Sequence, residues 1–404
     1  MRTRYGLSPW THRFPDSRRP DFPRAKGEIE APVVIIGGGL TGCATAYACA
    51  AAGVRAVLLE GSLVGRGASG GSAGLLLPDP GPPFRDLSEA HGLRAARTAF
   101  QSWRRASLDA AALLRRLGIR CHLVRQDALL VGARDDEKML RRELEARSAA
   151  GLGATWLTRH PLQAAAGLDG AGAIKMRDAF VLDPYRACVG LASAAAARGA
   201  AIHERTLVRK VRVGRKRVDV MADGATIHAQ TVVVSTGGAT AEYGQLRRHF
   251  KVRESYLVLT GAMPAYMRRM LGTRGATIAD TRRPSHRIRF TGDDRILVSG
   301  ADQPPPGRQR DQVLVQRTGQ LMYELLTMYP AISGLMPEYG WALPYAATAD
   351  GLPYIGAHRN FPRHLFALGR GGDSVTGAFL AARILVRHVQ GAPDTTDEVF
   401  GWTR

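Results

Sequence analysis

The sequence is poor in cysteine, with Cys43, Cys49, Cys121 and Cys188 the only four among 404 residues. Four thiols cannot staple a chain of this length, so a secreted disulfide scaffold is excluded and a reducing compartment, the cytoplasm, is the expected location. Cys43 and Cys49 fall on one expected helix but far round it from each other. Cys121 and Cys188 have no cysteine or histidine at ligand spacing, so no metal site is expected and all four read as small buried apolar groups. Lysine is almost as scarce: six residues stand beside fifty arginines, and none follows Lys251. No run of about 18 uninterrupted apolar residues occurs, which removes a membrane-spanning helix. Ser17-Arg18-Arg19 is followed by Pro20, Asp21, Phe22 and Pro23 rather than by an apolar segment, so no export signal is read there. Repeats of solenoid or propeller period are also missing.

What is present describes an ordinary globular chain: 45% apolar and 23% charged residues, with room for two to four domains of roughly 100 to 200 residues each. A net charge of +21 invites nucleic acid or an anionic membrane as partner. The basic residues are scattered, however, without the aromatic interleaving of a stacking platform, and arginine outnumbers lysine beside abundant alanine. A nucleic-acid partner is therefore not expected.

Val33-Val34-Ile35-Ile36 is a short, β-branched apolar run of the kind buried on both faces in a parallel sheet. Leu40 to Ala52 has good helix propensity, Gly53 stops it, and Val54 to Glu60 forms a second strand, giving a β-α-β unit. Glycines 65 to 74 and the prolines between 78 and 83 mark loops. Phe100, Trp103, Ala110, Leu114 and Leu117 recur at helical spacing between Ser88 and Leu117, a core stripe. Further along, Ala128 to Val131 reads as a strand, Asp136 to Ala149 and Tyr185 to Ala197 as helices. Val208 to Val213, Val218 to Met221 and Thr226 to Ala229 read as antiparallel ribbons, and Thr231 to Val234 as another buried strand ending in glycine. Tyr256 to Thr260 and Ile296 to Val298 suggest a separate sheet with the helix Gln312 to Tyr329 against it. Leu365 to Leu368 and a helix from Thr376 to Val389 close the chain.

Gly37-Gly38-Gly39-Leu40-Thr41-Gly42 fits G-x-G-x-x-G, follows a strand and opens a helix, and Glu60 stands 18 positions after its last glycine. The three glycines of the pattern do different things: Gly37 permits the turn, Gly39 lets backbone approach a pyrophosphate closely, and Gly42 lets helix and strand pack together. Free N–H groups at the helix start would face the phosphates, and Glu60 would accept from the adenosine ribose hydroxyls. The second glycine loop would extend this cradle towards a larger second moiety.

With those pieces in place, the sequence resembles the FAD-dependent amine and amino-acid oxidoreductases of the D-amino-acid oxidase superfamily, which includes glycine oxidase and sarcosine oxidase. The matching stretches are VVIIGGGLTGCATAYACAAAGVRAVLLE from Val33, GASGGSAGLL from Gly67, VVVSTGG from Val232, DGLPYIG from Asp350 and LFALGRGGDSVTGAFLAARIL from Leu365. The stretch ADTRRPSHRIRFTGDDRILVSG from Ala279 is similar to the branch containing gamma-glutamylputrescine oxidase. The implied fold is α/β: a doubly wound, Rossmann-like FAD domain with a second, substrate domain on a mixed or antiparallel sheet. Residues 1–30 would be an arm over the surface, 31–86, 178–245 and 343–395 the discontinuous FAD domain, 87–177 and 246–342 the helical insertion and substrate domain, and 396–404 a tail.

The resemblance implies FAD contacts from Gly37, Gly39, Leu40, Thr41, Gly42 and Glu60 in the first turn, and from Gly67, Ala68, Ser69, Gly74 and Leu75 in the second loop. Val208, Thr236 and Gly237 would follow, then Gly369, Gly371, Gly372, Asp373, Val375 and Thr376. It also implies oxidation of a C–N bond of an amine or secondary amino acid by hydride transfer to flavin N5. Arg289 would be a cation beside the substrate carboxylate or reduced flavin, with His286 and Tyr345 as further catalytic candidates; Tyr256 and Tyr345 could wall the substrate, although a core or interface role is the preferred reading of each. Asp183-Pro184 reads as structural. Leu343-Pro344-Tyr345 stands where sarcosine oxidase links its flavin through cysteine, and the early glycine loop holds no histidine, so FAD is expected to be noncovalent. Family oxidases activate oxygen with a lysine near the flavin; none follows Lys251, and Arg287, Arg289 or His286 could substitute, so the acceptor is oxygen or another carrier, the latter with more weight than in a typical oxidase. Thr376 stands where a carboxylate-binding lysine can occur. Oligomeric state, a homo-oligomer included, is left open. Rival readings are a flavin-dependent tRNA-modifying enzyme and an idle flavin-binding subunit.

Overall fold

The computed structural model describes residues 2–271, 273–369 and 375–404. Two sheets organise it. The first has five parallel strands in the order Phe361–Leu368, Ala225–Gly237, Gly27–Ile36, Ala56–Leu59, Ala201–His203. Tyr354–His358 adds an antiparallel edge. The apolar runs read from the sequence occupy its centre, as strands covered on both faces must.

Side-chain alternation divides those strands between two cores. Val33, Ile35, Leu58, Val233 and Leu365 face the helices Leu40–Ala51, Pro184–Ala196, Thr376–Val389 and Leu93–Arg116. Val34, Ile36, Val57, Val232, Val234 and Phe366 face the opposite way, where an antiparallel ribbon, Tyr243 and the tail residue Trp402 cover them. Helices therefore lie on one face and a ribbon with an aromatic cluster on the other. Ala225–Gly237 belongs to both: its first half pairs with Val218–Ala222 and its second half with the strand Phe361–Leu368.

The second sheet has ten strands and is mainly antiparallel. Lys251–Thr260, Ile296–Gln303, Arg287–Phe290 and Ala276–Asp280 run through its middle, Val124–Gly132 and Gly172–Val181 follow, and the two-residue strand Leu75–Leu76 forms one edge. Helix Arg310–Met328 packs on one face through Leu314, Leu321, Met322 and Leu325. Tyr256 is fully buried in that core, its hydroxyl 3.2 Å from Glu254 Oε2 and 3.0 Å from Gln303 Nε2, which gives it the core role. Asp183 caps helix Pro184–Ala196, its Oδ1 accepting from the Arg186 amide at 3.0 Å, and is structural as expected.

Residues 2–24 are docked rather than loose. Arg4–Tyr5 pairs in parallel with Pro337–Ala347 at the far edge of the second sheet, and Arg13 reaches Glu338 at 2.8 Å and Asp293 at 3.0 Å. No helix among the described residues is long and apolar enough to cross a membrane. All four cysteines are buried free thiols. Cys43 and Cys188 meet with their sulfurs 3.7 Å apart, and both sulfurs lie 3.5 Å from the Gly38 carbonyl.

Candidate functional site

Two cavities flank the segment from Ser72 to Leu77. The first, about 820 Å³, lies over the carboxyl ends of the parallel strands, where Ile36, Leu59, Ser235 and Ala367 line it; that end is where open α/β sheets bind ligands. Its floor is the first glycine turn. Gly37 has φ +108°, and a Cβ there would stand 2.8 Å from the Ser235 carbonyl oxygen. A Cβ on Gly42 would stand 1.9 Å from the Gly37 carbonyl oxygen, so the helix rests directly on its own turn. Glu60 completes the turn from the next strand: Oε2 accepts the Gly38 amide at 2.7 Å and Oε1 the Ser62 amide at 2.8 Å. Ser69 Oγ accepts the Leu40 amide at 2.8 Å, which fastens the second loop to the start of the helix.

The second cavity, about 880 Å³, lies between Leu75, Leu77, Met176, Ile278 and the segment from Thr348 to Gly351. Its base holds a buried ionic network. Arg147 Nε donates to Glu143 Oε1 at 2.7 Å, its Nη1 meets Asp79 at 3.3 Å, and Glu143 also accepts the Phe84 amide at 2.7 Å. Exposed Arg85, Arg282 and Arg283 stand at the rim.

Most of the residues expected to hold the cofactor come together. Gly37, Gly39, Leu40, Thr41, Glu60, Gly67, Ala68, Ser69, Val208, Thr236, Gly237, Gly369 and Val375 all line the first cavity. Gly42 acts beneath it through packing. Leu75 lines the second cavity instead. Gly74 lines neither; its φ is +68° and a Cβ would stand 2.2 Å from the Leu182 carbonyl. Thr376 is buried behind the wall, with Oγ1 donating to the Leu77 carbonyl at 2.8 Å. Gly371, Gly372 and Asp373 lie outside the described residues.

The expected catalytic residues do not converge. Tyr345 lines the first cavity and its hydroxyl is 2.5 Å from Asp302 Oδ2. His286 lines neither cavity: it is buried between Asp280 and Glu324, 2.7 Å from each. Burial opposes its charge, but the two carboxylates outweigh burial and raise its pKa. Arg289 also lines neither cavity; it is 4% exposed, and its Nη1 lies 2.8 to 2.9 Å from the carbonyls of Ala73, Gly74 and Leu182. Burial lowers its pKa to about 10. Alternation explains part of this, since Ser285 and Arg287, on either side of His286, line the second cavity. Arg289 is further along and passes under the loop rather than into the opening.

Sequence reasoning missed Ser235, whose Oγ donates to the Ile36 carbonyl at 3.0 Å, although its place before the Thr236-Gly237-Gly238 turn was a usable signal. It also missed Leu77, Glu143 and Arg147. Glu143 and Arg147 carried no signal, because acid and base four apart on a polar helix usually mark a solvated face.

A family model described as FAD dependent oxidoreductase matches residues 32–388. The chain belongs to that family. It is 25% identical to the probable oxidoreductase OrdL of Haemophilus influenzae over 391 residues, 93% of this chain and 87% of that protein. It is likewise 25% identical to the glycine oxidase of Bacillus licheniformis over 376 residues, 90% of this chain and 94% of the enzyme. The crystal structure of glycine oxidase from Geobacillus kaustophilus has the same fold, with a TM-score of 0.76 at 22% identity over 93% of this chain and 99% of that one.

This FAD-dependent oxidoreductase has a first cavity whose chemistry fits its cofactor. The spaces that Cβ atoms would fill at Gly37 and Gly42 are the space the turn itself needs. The helix start and the Glu60 carboxylate both line the opening, groups suited to a diphosphate and a ribose. Its described lining contains neither cysteine nor histidine.

Proposed function

We propose that this flavoenzyme oxidises a C–N bond of an amine or secondary amino acid, with the dinucleotide in the first cavity and the substrate in the second. The observation that carries the reading is the shared wall: Ser72 and Val375 line the first cavity, Leu75 lines the second, and the Val375 amide donates to the Leu75 carbonyl at 2.7 Å. A ring seated at this wall would meet both openings. Gly37 to Gly42 and Glu60 bind the nucleotide end, and Gly67 to Ser69, Thr236, Gly237, Gly369 and Val375 enclose the rest. When bound, the flavin supplies the redox chemistry, accepting the two electrons and the hydrogen that leave the substrate C–N bond. Leu75, Leu77, Met176 and Ile278 orient the substrate and keep water away from the reacting carbon.

About 880 Å³ is the size of a drug-sized ligand site, which favours a substrate larger than glycine. The described lining of either cavity contains no lysine, and this favours an acceptor other than oxygen. The test is anaerobic mixing of the yellow protein with amino acids, N-methyl amines and polyamine conjugates, read as loss of the flavin band near about 450 nm. Bleaching by one amine class is expected. A flavin that dithionite reduces but no amine does would sink the reading.

A further inference from the structure

Five consecutive carbonyls, those of residues 70 to 74, each accept a hydrogen bond from a side chain far away in sequence. Ser8 Oγ donates to Gly70 at 2.5 Å, Trp341 Nε1 to Gly71 at 2.7 Å, and Trp10 Nε1 to Ser72 at 2.9 Å. Arg289 Nη1 takes Ala73 at 2.8 Å and Gly74 at 2.9 Å. Arg289 is itself held from behind, its guanidinium carbon 5.1 Å from the centre of the Trp10 ring. None of Ser8, Trp10, Arg289 and Trp341 lines either cavity. The carbonyl row is therefore pulled away from both openings, while Ser69 just before it and Ser72 within it line the first and Leu75 just past its end lines the second.

We infer that Trp10, reaching in from the amino-terminal segment, and Arg289 are positioning residues that fix the wall between cofactor and substrate. Glycine-rich backbone has no preferred shape of its own, so a loop spanning two cavities needs its shape imposed. Hydrogen bonds to buried carbonyls do this, because a carbonyl left without its partner loses solvation that nothing replaces. The inference rests on placing FAD in the first cavity.

The experiment uses full-length protein stripped of flavin and titrated with FAD, read by quenching of flavin fluorescence and by visible circular dichroism of the bound flavin. Trp10→Phe keeps the ring over Arg289 and removes only the donor to Ser72. It is expected to weaken FAD binding about three- to tenfold, the worth of one such bond, and to change the flavin dichroism. Arg289→Met is expected to weaken binding by about a hundredfold or more; if it does not fold, Trp10→Phe carries the test. Arg13→Ala breaks the contacts to Glu338 and Asp293, which fasten the same arm elsewhere, and is expected to leave affinity and dichroism at wild-type values. Wild-type affinity and spectrum in Trp10→Phe would overturn the inference. Equal weakening by Arg13→Ala would also overturn it, since the arm would then act through stability alone. If wild-type protein binds no FAD at all, the cofactor placement beneath the inference fails first.

Discussion

The two glycine loops of the first cavity hold their shape by opposite means. Gly37 to Gly42 is held mainly by its own turn and the neighbouring strand ends: it has one positive φ, the Glu60 carboxylate, Ser235 Oγ donating to the Gly37 carbonyl at 3.2 Å, and a helix start so close to the turn that a Cβ on Gly42 would stand 1.9 Å from the Gly37 carbonyl oxygen. Gly65 to Gly74 is supported from outside, by side chains at positions 8, 10, 289 and 341. The first loop is a local structure that the sheet carries. The second is a tertiary structure that the rest of the chain imposes, and the difference sets how each should respond to mutation.

The sharpest way to break the contrast is Gly42→Ala. With no room between helix and turn, one methyl should cost about 3 kcal/mol and empty the site of flavin, measured as the ratio of flavin to protein absorbance. A yellow protein of unchanged melting temperature would show that the first turn can give. Trp341→Phe tests the second loop by leaving the Gly71 carbonyl without a donor. A loss of about 1 to 3 kcal/mol in denaturant unfolding is expected, and an unchanged midpoint would mean the loop does not need its outer anchors. The smallest effect is expected at His286, which lies three residues before Arg289. Its raised pKa means that the folded chain holds the proton more tightly than the unfolded one, so its contribution is complete below the unfolded pKa of about 6.5 and is lost as pH rises through the higher folded value. The difference in melting temperature between wild type and His286→Gln should shrink across that window. A difference that stays constant with pH would detach the strand's stability from this proton.

How far the sequence could be read follows the same division. The first turn, the helix Thr376–Val389, the buried strands around Val33 and Val232 and the ribbon from Val208 were all legible, because glycine placement and apolar periodicity act over a few residues. Glu60 was legible because the β-α-β unit fixes its distance. The destination of Arg289 was not: its stretch was marked only by a resemblance, and nothing local distinguishes an arginine that enters a cavity from one that runs beneath it to three carbonyls. The contacts of the arm were hidden for the same reason, since Ser8, Trp10 and Arg13 find their partners 62 to 325 positions away. The base of the second cavity was hidden by a helix whose pattern is that of a surface helix, yet whose Glu143 and Arg147 are buried.

The order of strands in the first sheet has a consequence for synthesis. Gly27–Ile36 lies between Ala56–Leu59 and Ala225–Gly237, and beyond the latter come Phe361–Leu368 and the edge strand Tyr354–His358. A polypeptide leaving the ribosome amino-terminus first can pair Gly27–Ile36 with Ala56–Leu59 at once, but the strand on its other side, Ala225–Gly237, follows much later, and the anchor for Gly71 arrives only with Trp341. Completion of the first cavity therefore comes well after synthesis of its floor.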